Sequence, residues 1–155
     1  MLRATFDTTV DVRMVLARPG SLVGKLRRAF EEGRFALVLS PVLVEEVAHT
    51  LKSPHLRAKH GWSDEAIDQF VNDLKTLAAM TPGNLTLDIP QLAKRDPDDL
   101  NVVAAAVEGN ASFVVTQDKD LLALGEYQGV RMVEPPEFYR ILQILEAEQA
   151  EAPPT

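Results

Sequence analysis

The stretch Ser112-Phe113-Val114-Val115-Thr116-Gln117-Asp118 decides the fold class of this chain. Its first five residues have the apolar, β-branched and aromatic character of a buried strand, and Gly109-Asn110 just before them is a helix-ending pair. A weaker strand signal, Arg3-Ala4-Thr5-Phe6, is also followed by an acid, Asp7. Both acids therefore stand just past the carboxyl end of a predicted strand.

Outside these two stretches, strand signals alternate with amphipathic helices along the chain. Further strands are predicted at 36–39 and 130–133, and a short one at 85–87. Helices are predicted near 22–32, 41–51, 99–108 and 119–124, after Ser63, and from Pro135 onward. Alternation of this kind predicts an α/β fold, a three-layer α/β/α sandwich around a central, mainly parallel sheet of about five strands.

The composition indicates one folded domain in a chain of 155 residues. We expect the domain to span 1–146, followed by a polar, disordered tail over 147–155. The chain has no cysteine, no signal-peptide pattern and no apolar run long enough for a membrane span, so we expect a cytoplasmic protein. A net charge of −7 argues against a non-specific nucleic-acid coat, although acidic metal ligands would contribute to that charge.

Four acids could meet at one edge of the predicted sheet: Asp7, Glu46, Asp99 and Asp118. Ligands bind beyond the carboxyl ends of parallel strands, where Asp7 and Asp118 are expected. Clustered carboxylates repel each other unless a cation is present, and a site without His or Cys favours Mg²⁺ or Mn²⁺ over zinc. Some of these acids also have simpler interpretations, because Asp99 or Asp118 could be a helix N-cap. Asp98 competes with Asp99 as the cap and as a metal ligand. Spacing alone does not separate Glu45 from Glu46.

Four motifs resemble those of one family when they are taken together and in order. They are Asp7-Thr8-Thr9-Val10, the segment 40–47 (SPVLVEEV), Asp96-Pro97-Asp98-Asp99, and the segment 114–122 (VVTQDKDLL). From residue 2 to about 142 the chain resembles the PIN-domain ribonucleases, and more closely the toxin subgroup related to VapC-type toxins.

The resemblance implies an acidic metal site and a function. It assigns Asp7, Glu46, Asp99 and Asp118 to the site, with one or two Mg²⁺ or Mn²⁺ ions, and gives supporting positions to Thr9, Thr116 and Asp120. It implies metal-dependent cleavage of RNA phosphodiesters by an endoribonuclease, the toxin of a toxin–antitoxin pair, with an antitoxin partner and a homodimeric state.

Two departures from the family pattern keep other functions open. Thr9 stands where the opening motif usually has Asn, and Arg13 where the subgroup usually has a small residue. A catalytically impaired PIN-fold binding or regulatory protein is therefore an alternative. A metal-dependent phosphatase is a further one, because Asp7-Thr8-Thr9-Val10-Asp11 superficially resembles an aspartyl nucleophile motif, although Thr9 replaces its usual second Asp.

Basic residues are needed at the rim if the acidic cleft is to hold RNA. The candidates lie after the first strand and after the Glu46 helix: Arg13, Arg18, Arg57 and Lys59. The three histidines, His49, His55 and His60, are predicted to be surface residues rather than catalysts.

Overall fold

The computed structural model describes residues 1–151, and in this part of the chain six strands form one sheet. The strands are β1 (Arg3–Phe6), β2 (Ala36–Leu39), β3 (Ala79–Met80), β4 (Phe113–Val115), β5 (Glu126–Tyr127) and β6 (Val130–Val133). The helices of the same residues are α1 (Thr8–Leu16), α2 (Leu22–Glu31), α3 (Pro41–Leu51), α4 (Pro54–His60), α5 (Asp64–Leu77), α6 (Pro90–Ala93), α7 (Asp98–Glu108), α8 (Lys119–Leu124) and α9 (Pro135–Glu151). The sheet is mostly parallel and is flanked by helices, so the predicted three-layer α/β/α fold is confirmed.

The strand order β3-β2-β1-β4-β6-β5 places the two acid-bearing strands side by side. β1 and β4 are parallel neighbours, with Ala4 opposite Phe113 and Phe6 opposite Val115. The chain leaves β1 for β2 on one side, whereas β4 joins β1 on the other. The gap between the ends of β1 and β4 is therefore the topological switch point, where open α/β sheets bind their ligands.

Aromatic side chains fill the core between the central strands and α9. Phe6 stacks on Phe35 with ring centroids 5.4 Å apart, and it meets the edge of Phe138 at 5.6 Å. Phe138 is fully buried on α9 and also contacts Phe113 of β4. This contact packs α9 against the strand that leads to Asp118, so the last helix helps to hold that side of the switch point in place.

The sheet has six strands rather than the expected five, and the strand predicted at 85–87 is not formed; a strand at Ala79–Met80 precedes that position instead. β5 pairs antiparallel with β6 through a tight turn in which Gln128 and Gly129 both have positive φ, at 48° and 83°. β3 pairs with β2 at Ala79–Met80, whereas the predicted strand at 85–87 is absent. The backbone N–H groups of Gly83, Asn84 and Leu85 instead donate to the Glu108 carboxylate at 2.8–3.1 Å.

The expected disorder over 147–155 does not begin at 147. Helix α9 continues to Glu151, while residues 152–155 lie outside the described part of the chain. The continuation has a physical reason, since Ala, Glu and Gln are good helix formers and the first proline comes at 153. A bidentate pair between Arg34 and Glu146, at 2.6 and 2.8 Å, also fixes the preceding turn.

Candidate metal centre

An acidic cleft opens at the switch point between β1 and β4. It has a volume of about 400 Å³ and contains all four predicted acids. Its lining residues come from the start of α1, one face of α3, the start of α7 and the end of β4: Asp7, Thr8, Thr9, Val42, Glu45, Glu46, His49, Thr50, Asp96, Asp98, Asp99, Val102 and Asp118. The chain thus brings together acids that are up to 111 residues apart in sequence.

Asp7 is nearly buried and is fixed by two hydrogen bonds. The Thr116 hydroxyl donates to Oδ2 at 2.9 Å, and the backbone N–H of Thr9 donates to Oδ1 at 3.3 Å. Thr116 is itself fully buried, and its oxygen accepts the backbone N–H of Asp118 at 2.9 Å. The threonine therefore links the ends of β1 and β4 and sets the direction of the Asp7 carboxylate.

Asp118 is both the N-cap of α8 and a lining residue of the cleft. Its Oδ1 accepts the backbone N–H groups of Asp120 at 2.8 Å and Leu121 at 3.1 Å. These bonds use one oxygen of the carboxylate. The capping interpretation is thus correct for Asp118, but it leaves Oδ2 available to the cleft.

Asp99 behaves as a site residue rather than a cap. Helix α7 begins at Asp98 and its N-cap position is Pro97, with no side-chain capping bond. The Asp99 side chain is 5% exposed, and its Oδ2 has no hydrogen-bond partner among the described residues. Burial, followed by the charges of Asp118, Asp96, Asp7 and Asp120, raises its pKa to about 7.

Glu46 is distinguished from Glu45 by its environment. Both residues line the cleft, but Glu45 is exposed, whereas Glu46 is half-buried and accepts the Asn101 amide at 3.4 Å. Burial raises the pKa of Glu46, and the charges of Asp98, Asp96 and Asp7 raise it further, while the Asn101 hydrogen bond partly offsets these effects. Glu46 is therefore electrostatically coupled to the same cluster as Asp99.

The donor set suits a hard divalent cation. All candidate ligands are carboxylates, one buried oxygen in the cleft lacks a partner, and burial, followed by the neighbouring negative charges, raises the pKa values of Glu46 and Asp99. No group of three or more acidic or histidine side chains within residues 1–151 is already placed to hold a metal ion. A bound cation would reduce the repulsion among the carboxylates on the several walls of the cleft.

Several predicted site residues lie outside this lining. Asp120 forms an ion pair with Arg95 at 3.5 Å and lines a neighbouring hollow, although its charge still acts on Asp99. The four predicted RNA-binding cations, Arg13, Arg18, Arg57 and Lys59, are all absent from the cleft. Arg57 is instead paired with Asp64 and donates to the Lys52 carbonyl oxygen, which explains why it faces α5.

The structure also identifies residues that sequence reasoning did not assign to the site. His49 and Thr50 line the cleft one turn beyond Glu45 and Glu46, a position that the helical spacing of α3 could have indicated. Asp11 is 1% exposed on α1, and neither of its carboxylate oxygens has a hydrogen-bond partner in the described chain. Burial, and then the charge of Asp7, raises the pKa of Asp11 well above its usual range.

Comparisons with known proteins agree with the fold. The PIN-domain family model matches residues 3–120, and the chain belongs to this family. The chain is 25% identical over 123 residues to the uncharacterized protein MJ1680 of Methanocaldococcus jannaschii, a match covering 79% of this chain and 75% of that protein.

Two solved structures share the fold at low sequence identity. PAE2754 from Pyrobaculum aerophilum aligns with a TM-score of 0.57 at 14% identity, over 92% of this chain and 90% of that one. The structure of VapBC2 from Rickettsia felis, bound to a DNA fragment from their promoter, aligns with a TM-score of 0.54 at 12% identity, over 84% and 97% of the two chains. No helix within residues 1–151 has the length and apolar character needed to cross a membrane.

Proposed function

We propose that this protein is a Mg²⁺- or Mn²⁺-dependent endoribonuclease and acts as the toxin of a toxin–antitoxin pair. The observation that supports this most directly is the buried Asp99 carboxylate, which has an oxygen without a partner in the described chain and a pKa raised to about 7, first by burial and then by three other acids of the same cleft and by Asp120. Membership of the PIN-domain family, whose members are generally nucleases, supports the same chemistry.

A cation bound by Asp7, Glu46, Asp99 and Asp118 would stabilise negative charge on the phosphodiester in the transition state and make an attacking water more acidic. Thr116 orients Asp7, and the first turn of α8 orients Asp118, so these two carboxylates need little rearrangement. A carboxylate of the same cleft would take the proton from that water. Glu46 adds a further carboxylate on the wall of the cleft that α3 forms.

The partner proposals have weaker but specific support. The VapBC2 structure contains a toxin of the same fold together with its antitoxin, which favours an antitoxin for this protein. For the homodimer, the support is exposed apolar side chains on two helices, Leu77 of α5 at 56% and Ile144 of α9 at 50%. A second copy that bound both helices would cover these two side chains.

The test combines metal binding and RNA cleavage. Millimolar Mn²⁺ should raise the melting temperature, because a ligand that binds only the folded state stabilises it by mass action. Asp7→Asn should reduce this rise. Asp88→Asn is the matched control, since Asp88 is exposed and lies outside the cleft lining.

Cleavage should follow the same pattern. A mixed RNA pool should be cut in Mn²⁺, left intact in EDTA, and left intact by Asp99→Asn but not by Asp88→Asn. An unchanged melting curve in Mn²⁺ would contradict the metal site. Metal binding without cleavage would instead favour the PIN-fold binding protein.

A further inference from the structure

The acidic cleft lacks the positive charge that an RNA strand requires. Within residues 1–151 its lining contains seven carboxylates, one histidine and neither lysine nor arginine. A cation in the cleft would neutralise charge on the scissile phosphate, but the neighbouring phosphates would still be repelled by the negatively charged walls of the cleft. Groups that hold them must therefore come from His49 or from the immediate surroundings of the cleft.

His49 is placed on the α3 wall, beside the proposed ligands. It follows Glu45 and Glu46 by one helical turn, so the three side chains share a face of α3, and the His49 side chain is exposed. An imidazole N–H is a hydrogen-bond donor suited to a phosphate oxygen. It is the one lining side chain in the described cleft that combines such a donor with an aromatic ring.

Arg95 adjoins the acidic cleft in the chain and itself lines a second hollow. Its neighbour in the chain, Asp96, lines the cleft, and its own partner, Asp120, acts electrostatically on Asp99. With Gln91 and Leu124, Arg95 lines the second hollow, of about 280 Å³, between α6 and α8.

The contact that Arg95 now makes is easily exchanged. The pair with Asp120 measures 3.5 Å, and the arginine side chain is 72% exposed, so the pair contributes little to stability. A guanidinium binds phosphate through two parallel hydrogen bonds, a better match than this single long contact. If the Arg95 guanidinium bound a phosphate instead, the Asp120 carboxylate would lose its ion-pair partner beside the proposed metal ligands.

We propose that Arg95 and His49 bind the RNA phosphates on the two sides of the scissile bond, Arg95 at the α8 rim and His49 on the α3 wall. The proposal rests on the function proposed above and specifies its substrate contacts. It adds to the predicted Arg13, Arg18, Arg57 and Lys59, none of which lines the cleft or adjoins a lining residue in the chain, whereas His49 lines the cleft and Arg95 adjoins Asp96.

Binding of a short single-stranded RNA, measured by fluorescence anisotropy in Ca²⁺ over a range of salt, tests Arg95. Ca²⁺ is a hard cation that oxygen ligands accept. Arg95→Gln should weaken binding about tenfold, the lower end for a hydrogen bond to a charged group. It should also reduce the salt slope by about 0.7, the value for one phosphate contact on a single strand. Arg95→Lys should retain the slope, and Arg140→Gln, an exposed arginine on α9, is the matched control.

The same assay tests His49 with variants of its own. His49→Ala should weaken RNA binding about tenfold, the lower end for a hydrogen bond to a charged phosphate oxygen. His49→Gln, which keeps a donor, should restore most of the loss. His55→Ala is the control, because His55 is exposed on α4 and does not line the cleft. Mn²⁺ affinity, measured by calorimetry, should not fall in either Arg95→Gln or His49→Ala.

The outcomes separate this proposal from the function on which it rests. If Arg95→Gln and His49→Ala bind RNA with the affinity and salt slope of their controls, the proposal is overturned even when the wild type cleaves RNA. If the wild type binds RNA and the variants weaken it as stated, but no RNA is cleaved in Mn²⁺, the contacts stand and the nuclease proposal fails. A wild type that does not bind RNA at all overturns both.

Discussion

Replacing Asp99 with asparagine should stabilise the metal-free protein, and the gain should depend on pH. The pKa of Asp99 rises from 3.8 to about 7 on folding, so the folded state holds this proton more tightly than the unfolded state. As a result, the stability of the wild type falls as pH increases from about 4 to about 7, and it then levels off. Asp99→Asn removes this ionisation and with it the pH-dependent loss.

The size of the effect follows from the pKa difference. A difference of about 3 corresponds to about 4 kcal/mol at 1.36 kcal/mol per pKa unit, which is an upper limit. The carboxylate opens onto a solvent-filled cleft, where water screens part of the repulsion. We therefore expect a gain of about 1–2 kcal/mol at pH 8. For a chain of this length, this corresponds to an increase in melting temperature of roughly 2–8 °C.

Urea unfolding in EDTA at pH 4 and pH 8 measures this difference directly. Asp99→Asn and wild type should have similar free energies of unfolding at pH 4 and should diverge at pH 8. Asp88→Asn should stay within about 0.5 kcal/mol of wild type at both values, as exposed substitutions usually do. Added Mn²⁺ should reverse the order at pH 8, because the wild type gains a ligand that the variant binds poorly. The reasoning is refuted if Asp99→Asn is no more stable than wild type at pH 8 in EDTA.

Three further predictions concern other parts of the molecule. Asp11→Leu should stabilise the protein at pH 7 by about 1–3 kcal/mol in urea unfolding, because a buried carboxylate without hydrogen-bond partners is replaced by an apolar group; a loss of stability would show that unseen contacts hold Asp11. Glu108→Gln should lower the urea midpoint in the same measurement, since it weakens three hydrogen bonds from the 83–85 backbone, and an unchanged midpoint would mean that this loop is not anchored there. Light scattering should give twice the chain mass of 17.1 kDa, with a shift toward monomer in Leu77→Lys; a wild-type monomer at all concentrations would end the homodimer prediction.

Sequence patterns predicted the strands that lead to Asp7 and Asp118 because those strands are central and largely buried. β1 and β4 are buried neighbours in the sheet, so the core restricts which residues they contain. The switch point lies at their carboxyl ends, where the acids follow. β3 and β5 were missed for the opposite reason. Each has only two residues at a sheet edge, where the composition is hardly constrained.

The roles of individual site residues depended on contacts that spacing does not encode. Asp99 could be a cap or a cleft residue until the start of α7 at Asp98 decided the question. Glu46 and Glu45 differ only in burial and in the Asn101 contact. The predicted RNA-binding residues show the same limit, because Arg57 lies near the Glu46 helix in sequence, but it pairs with Asp64 on α5 and does not line the cleft.

The two ends of the sheet have a consequence for how the protein can associate. β3 and β5 are its edge strands, and each offers only two residues of backbone for pairing. Very short edge strands protect a sheet against edge-to-edge aggregation, since an incoming strand finds few free N–H and C=O groups to pair with. Any partner, including a second copy, is therefore directed to the helical faces rather than to an extension of the sheet. A concentrated solution of this protein should resist the formation of intermolecular β structure for the same reason.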